Sequence, residues 1–147
     1  MVNGERAAGP RGQITDEYKL FGRYFEKPVT TLQINDPYLT DRYRIVERLG
    51  TYLKMANETG QLQLVRIITS PDDRNKPSQQ QKSAFQVLEN HYGNKLKIKY
   101  AGAEHDRYIR ITYLDGSTTR IIIGRGLDFI RSDGKCLKTF ITISNDI

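Results

Sequence analysis

Residues 105–130 read HDRYIRITYLDGSTTRIIIGRGLDFI. Two runs rich in β-branched residues flank Asp115-Gly116, a dipeptide suited to a tight β-hairpin because both residues tolerate positive φ. The spacing predicts two antiparallel strands. In an extended chain alternate side chains share a face. His105 and Arg107 therefore fall on the side that continues as Ile109, Ile111 and Tyr113, and Asp106, Tyr108, Arg110, Thr112 and Leu114 fall on the other. A histidine and an arginine at the lip of an apolar face require an anionic partner, because an unpaired buried charge is costly. Arg125, past the second strand, is expected to converge on the same place. Its neighbours Gly124 and Gly126 would let the backbone approach a ligand and leave N–H groups free to meet it. Two readings stand side by side. Either His105, Arg107 and Arg125 line a phosphate pocket, or the arginines pair internally with Glu104, Asp106 or Asp128.

The elements upstream follow from hydrophobic period. KLKIKY, 95–100, alternates strictly and predicts a half-buried strand with Lys95, Lys97 and Lys99 on one side. Ala84, Phe85, Leu88, His91 and Tyr92 recur at helical spacing, with Gly93 ending that helix. The polar stretch 70–83 predicts a long loop, in which Asp72 and Asp73 read as turn caps rather than a metal-binding pair. LQLVRIITS, 62–70, has the composition of a buried strand. Ile45, Val46, Leu49, Leu53 and Ala56 mark an amphipathic helix starting near Asp41 and ending before Gly60. VTTLQIN, 29–35, predicts another strand. A first helix is expected to start at an N-cap on Thr15, to carry Leu20, Phe21, Tyr24 and Phe25 inward, and to end at Pro28. Residues 1–13 read as a flexible lead or linker end, leaving 14–147 as one folded unit with a last strand over 137–143. This order of elements is α/β, with an antiparallel part added late.

The chain has 147 residues, enough for one domain with its own core. Its 23 Lys and Arg against 17 Asp and Glu give +6, which favours anionic partners. The cations are scattered along the chain, so nucleic acid is a less favoured partner than a smaller phosphate ligand. No apolar run approaches the roughly 20 residues that cross a bilayer, so no transmembrane segment is expected. A single cysteine, Cys136, excludes an internal disulfide, and the two histidines, His91 and His105, make a zinc site unexpected. The expectation is therefore no metal and no cofactor, in a cytoplasmic protein.

NDPYL (35–39), LVRIITS (64–70), HDRYIR (105–110) and IGRGLDFI (123–130), in this order, resemble the phospholipase-D-like domain found at the C-terminus of MIT-domain proteins. The likeness runs from about Asp16 to Arg131. It implies a phospholipase-D-like mixed β-sheet flanked by helices, a tendency to form homodimers, and binding to acidic phospholipids. Catalytic members of the wider fold need H-x-K-x-x-x-x-D followed by G-S-x-N, in which the His attacks phosphorus and Lys and Asn steady the developing charge. Here Arg107 replaces Lys, Thr112 stands in the Asp position, Arg125 replaces Ser and Leu127 replaces Asn. With one copy of the motif, catalysis would need a dimer.

The resemblance and the residues together point to a non-catalytic module, an adaptor domain of a larger protein that binds acidic phosphate-bearing ligands. Membrane phospholipid headgroups are the favoured ligand, which would add peripheral membrane attachment to the cytoplasmic expectation. His105, Arg107, Gly124, Arg125 and Gly126 would form the pocket, with Arg110, Arg131 and Lys135 as outer attraction. Two alternatives remain: a dimeric phosphodiesterase or nuclease using His105, and a protein-interaction module whose basic pocket is structural. For 127–130, LDFI, insertion into a bilayer surface and burial in the core are both open.

Overall fold

A computed structural model describes residues 2–8, 15–101 and 107–146, giving the backbone alone for 2–8 and 146. Among these residues seven strands form one sheet, with β1 (Val2–Ala8) at one edge, in the order β1-β7-β6-β5-β2-β3-β4. β2 (Val29–Asn35), β3 (Leu64–Thr69) and β4 (Leu96–Tyr100) run parallel. β5 (Tyr108–Tyr113), β6 (Thr118–Ile123) and β7 (Phe140–Asp146) continue the sheet antiparallel on the other side of β2. The mixed α/β sheet expected from the sequence is present.

Register puts one set of side chains on one face throughout. Leu32 and Ile34 of β2 lie beside Val65 and Ile67 of β3 and beside Ile111 and Ile109 of β5. Ile109 and Ile111 in turn face Ile121 and Thr119 of β6. All are buried. The helices pack here: α1 (Glu17–Phe21), α2 (Gly50–Asn57) and α3 (Gln79–Tyr92). Phe21 meets Tyr52 at 6.1 Å and Phe129 at 6.3 Å, and Phe85 stands edge-on to Tyr100 at 6.2 Å. The other face carries Gln33, Arg66, Lys97, Lys99, Arg110 and Arg120, half-buried or exposed.

Several boundaries differ from expectation. Val2–Ala8, inside the stretch read as a flexible lead, is β1, paired from Val2↔Asp146 to Ala8↔Phe140. The outer edge of β7 offers a row of backbone donors and acceptors, and pairing there needs no apolar pattern, so composition alone does not reveal it. The rest of that lead, residues 1 and 9–13, lies outside the described residues. Asp16, rather than Thr15, caps α1 by accepting from the Lys19 N–H at 2.9 Å. The helix expected from Asp41 begins as a π-wound segment, Tyr43–Leu49, before continuing as α2. α3 starts at Gln79, well inside the expected loop, because Ser78 caps it through the Gln81 N–H. His91, expected on the apolar side of α3, is exposed and stands edge-on to Tyr92.

The last strand begins at Phe140, not Leu137. Residues 127–139 are spent on a compact corner, closed by Leu137 N–H to Phe129 O at 2.7 Å and Arg131 N–H to Lys135 O at 2.9 Å. That corner buries Leu127, Phe129, Ile130 and Cys136. Leu127 and Phe129 are thus core, and the bilayer-insertion reading of LDFI is overturned: their side chains are spent inside.

Candidate functional site

β2 ends at Asn35, and the chain turns at Asp36. Arg107 immediately precedes β5, the antiparallel neighbour of β2, and Arg125 follows β6. All three therefore meet at one edge of the sheet, where β3 leaves β2 on one side and β5 joins it on the other. Such a point leaves a crevice beyond the strand ends, a common place for ligands. Here the crevice is a cavity of about 320 Å³ lined by Tyr38, Thr40, Arg44, Arg107, Arg125 and Asp128.

Arg107 is held on three sides. Its guanidinium lies over the Tyr38 ring, 4.5 Å from the centroid. Its Nη1 donates to the Arg125 carbonyl. The Asp36 carboxylate lies near enough to feel its charge. Asp36 is only 3% exposed and accepts from two backbone groups, the Tyr38 N–H at 2.9 Å and the Leu127 N–H at 3.0 Å. Burial pushes its carboxyl above the usual range, and the two N–H groups and Arg107 pull it partly back. Asp36 thus ties the DPYL turn to the GRGL turn and leaves Arg107 aimed at the cavity.

Gly126 makes this tie possible. Its φ is +96°, and a Cβ there would lie 2.8 Å from Asp36 Oδ2 and 2.9 Å from Arg107 Cδ. Both space and conformation require glycine. The expected role of the glycines in offering free N–H groups is overturned. The Gly124 N–H donates to Phe140 O at 2.9 Å and the Gly126 N–H to Ile123 O at 3.1 Å. The Arg125 N–H donates to Thr139 Oγ1 at 3.0 Å. Hairpin closure and the turn use all three, so the cavity is lined by side chains.

The arginines differ in what they already hold. Arg44 pairs with Asp41 and, through Nε at 3.1 Å, with Asp128. Those carboxylates hold its charged form and raise its pKa, although burial opposes this. Arg107 and Arg125 make no salt bridge with any described residue. Internal pairing of these two with Asp128 is therefore not what the structure has: Asp128 is taken by Arg44. His105, Glu104 and Asp106 lie outside the described residues.

The outer attraction is only partly there. Arg131 lines an adjoining cavity of about 460 Å³ that Arg125 and Asp128 share. Lys135 closes the Arg131–Lys135 turn and lines neither cavity. Arg110 faces away: it alternates with the buried Ile109 and Ile111 and lies on the opposite side of the sheet. Strand alternation already placed it there, so distance in sequence was a poor guide to its role. Tyr38, Thr40, Arg44 and Asp36 were not among the expected site residues. An Asp41-x-x-Arg44 pair at a helix start and the DPYL turn are their signals, but neither shows which strand end they meet.

Known proteins share this fold. Over 96% of the chain the fold matches two crystal structures of yeast tyrosyl-DNA phosphodiesterase mutants, H432N and H182A, each with a TM-score of 0.53. Sequence identity is 9% and 10%, and the match covers 32% and 31% of those chains. The class is thus, by fold, a mixed α/β sheet flanked by helices. Residues 16–142 match the family described as the phospholipase D-like domain at the C-terminus of MIT, and the chain belongs to that family. MIT domain-containing protein 1 of Mus musculus is 26% identical over 114 residues, 76% of this chain and 44% of that protein. The chain therefore spans less than half the length of that relative.

Proposed function

We propose that the crevice at the end of β2 binds a phosphate-bearing ligand without cleaving it, with acidic phospholipid headgroups the favoured source. The observation that carries this reading is the pairing state of the arginines. Arg107 and Arg125 line one cavity, neither makes a salt bridge with a described residue, and Arg107, attracted by the nearby Asp36, is fixed by Tyr38 and the Arg125 carbonyl. A guanidinium held in this way offers its remaining N–H groups to phosphate oxygens in a forked geometry that a lysine lacks. Arg44, already paired, adds field at the rim.

The positions that cleave phosphodiesters elsewhere in the fold support a non-catalytic reading. Leu127 is buried and apolar where an Asn would steady charge, and Thr112 lies on the opposite face of the sheet from the cavity. The test has two arms. Arg107→Ala with Arg125→Ala should abolish sedimentation with acidic vesicles while the thermal midpoint stays near that of the wild type. Turnover of a generic phosphodiester that disappears in His105→Ala would instead establish the enzyme reading, which needs a dimer visible by analytical ultracentrifugation.

A further inference from the structure

The sheet face turned away from the helices has its own charge pattern. One cross-strand row reads Ser144, Arg120, Arg110, Gln33, Arg66, Lys97 from β7 to β4, each residue in register with the next. Lys99 lies beside Ile68 in the next row on the same face. At about 4.8 Å between strands, the cations from Arg120 to Lys97 span about 19 Å. No carboxylate occupies this face among the described side chains, and none of these cations makes an ion pair with a described residue. Like charges directly opposite on neighbouring strands destabilise a sheet, yet Arg110 faces Arg120 and Arg66 faces Lys97. The pattern is costly for the isolated chain and favourable once a polyanion lies across it.

We infer that this open face docks single-stranded nucleic acid, its backbone running across the strands along the Arg120–Lys97 row. A second copy of the chain is disfavoured there by like charge. An acidic peptide would match the charge alone, but the face offers more. Arg120 stacks 4.5 Å from the centroid of the Tyr108 ring, a half-buried guanidinium and aromatic plane on this face, and the Arg120 Nε is buried without a partner. Phe140, on the same side of β7, is 47% exposed. Exposed rings and guanidinium planes beside a basic track are what stacked bases use. This surface is separate from the crevice: Arg107 and Arg125 sit at the strand ends, and neither lies in the row.

Fluorescence anisotropy of a labelled oligothymidylate of about twenty nucleotides tests the inference on the full chain. Binding is expected, with affinity falling as salt rises. Replacing Arg66, Lys97 and Arg110 together with Gln should weaken it at least about tenfold and reduce the log–log salt slope by about 0.7 for each cation removed. These side chains are exposed and mutually repulsive, so the variant should melt no lower than wild type; Arg66→Glu alone gives a second, milder reading. Arg107→Ala with Arg125→Ala, which removes two cations against three, should weaken strand binding far less than the triple variant does, and equal or greater weakening overturns the inference. Absence of binding, or a triple variant that binds like wild type, overturns the inference. So does a triple variant that loses polyglutamate or acidic vesicles while keeping the strand.

Discussion

Asp36 shows how one buried carboxylate can organise a site without facing it. Its two oxygens accept from the Tyr38 N–H, two positions on, and from the Leu127 N–H, 91 positions away. Asp36→Ala leaves the buried Leu127 N–H unsatisfied, at about 1–3 kcal/mol, and removes the partner of the part-buried Tyr38 N–H. The variant should unfold at lower denaturant concentration and also lose vesicle binding, since Arg107 and Tyr38 lose their common anchor. Gly126→Ala attacks the same contact from the other side, and strain at positive φ adds to a clash with Asp36 and Arg107. Its expected signature is reduced affinity with a smaller loss of stability. The charge of Asp36 also has a pH consequence. Its folded pKa is raised, so the folded state holds this proton more tightly than the unfolded chain does. The contribution is fully present below the unfolded value of 3.8 and is lost as pH rises through the higher folded value. Acidifying through that window should therefore shift stability in favour of the wild type relative to Asp36→Asn, as measured by urea unfolding. A shift toward the variant would contradict the assigned direction.

Among the elements, α3 is the one whose start depends on a single side chain. Ser78 accepts from the Gln81 N–H at 3.1 Å and is itself held by Asp72, which accepts from the Ser78 N–H at 2.7 Å. Gln81 is fully buried and donates to the carbonyls of Leu39 and Ser70, so this cap also secures the loops above β2 and β3. Ser78→Ala should cost about 1 kcal/mol in urea unfolding, and Asp72→Ala should cost no more. These contacts also show what the sequence could and could not reveal. Strict alternation made β4 and β5 legible, and Asp115-Gly116 fixed the β5–β6 turn. The polarity of 70–83 hid the first turn of α3, because a cap and a buried glutamine look like loop when only apolar period is read. β1 was hidden for the opposite reason: an edge strand held by backbone pairing needs no period at all. At the site, Arg107 and Arg125 were found because both lie at ends of strong strands. Arg44 and Tyr38 were missed because their place depends on where the chain folds after β2, which no local pattern states.

At the scale of the whole molecule, the crevice joins four parts of the chain that are distant in sequence: the turn after β2, the π-wound segment before α2, the entry to β5 and the exit from β6. A ligand that bridges Arg44, Arg107 and Arg125 ties those parts together and binds only when all are folded. Its free energy then adds to folding by mass action, about 2.7 kcal/mol at a hundredfold excess over Kd. A soluble inositol phosphate, which carries the headgroup chemistry without a bilayer, should thus raise the thermal midpoint of the wild type in a concentration-dependent way. Arg107→Ala with Arg125→Ala should show no rise. The open-face variant Arg66→Gln with Lys97→Gln and Arg110→Gln should rise as wild type does, because those side chains lie on the far side of the sheet. If the open-face variant loses the rise and the crevice variant keeps it, the phosphate site has been assigned to the wrong surface. If neither loses it, the stabilisation is a general effect of net charge, and the pairing state of Arg107 and Arg125 carries no functional meaning.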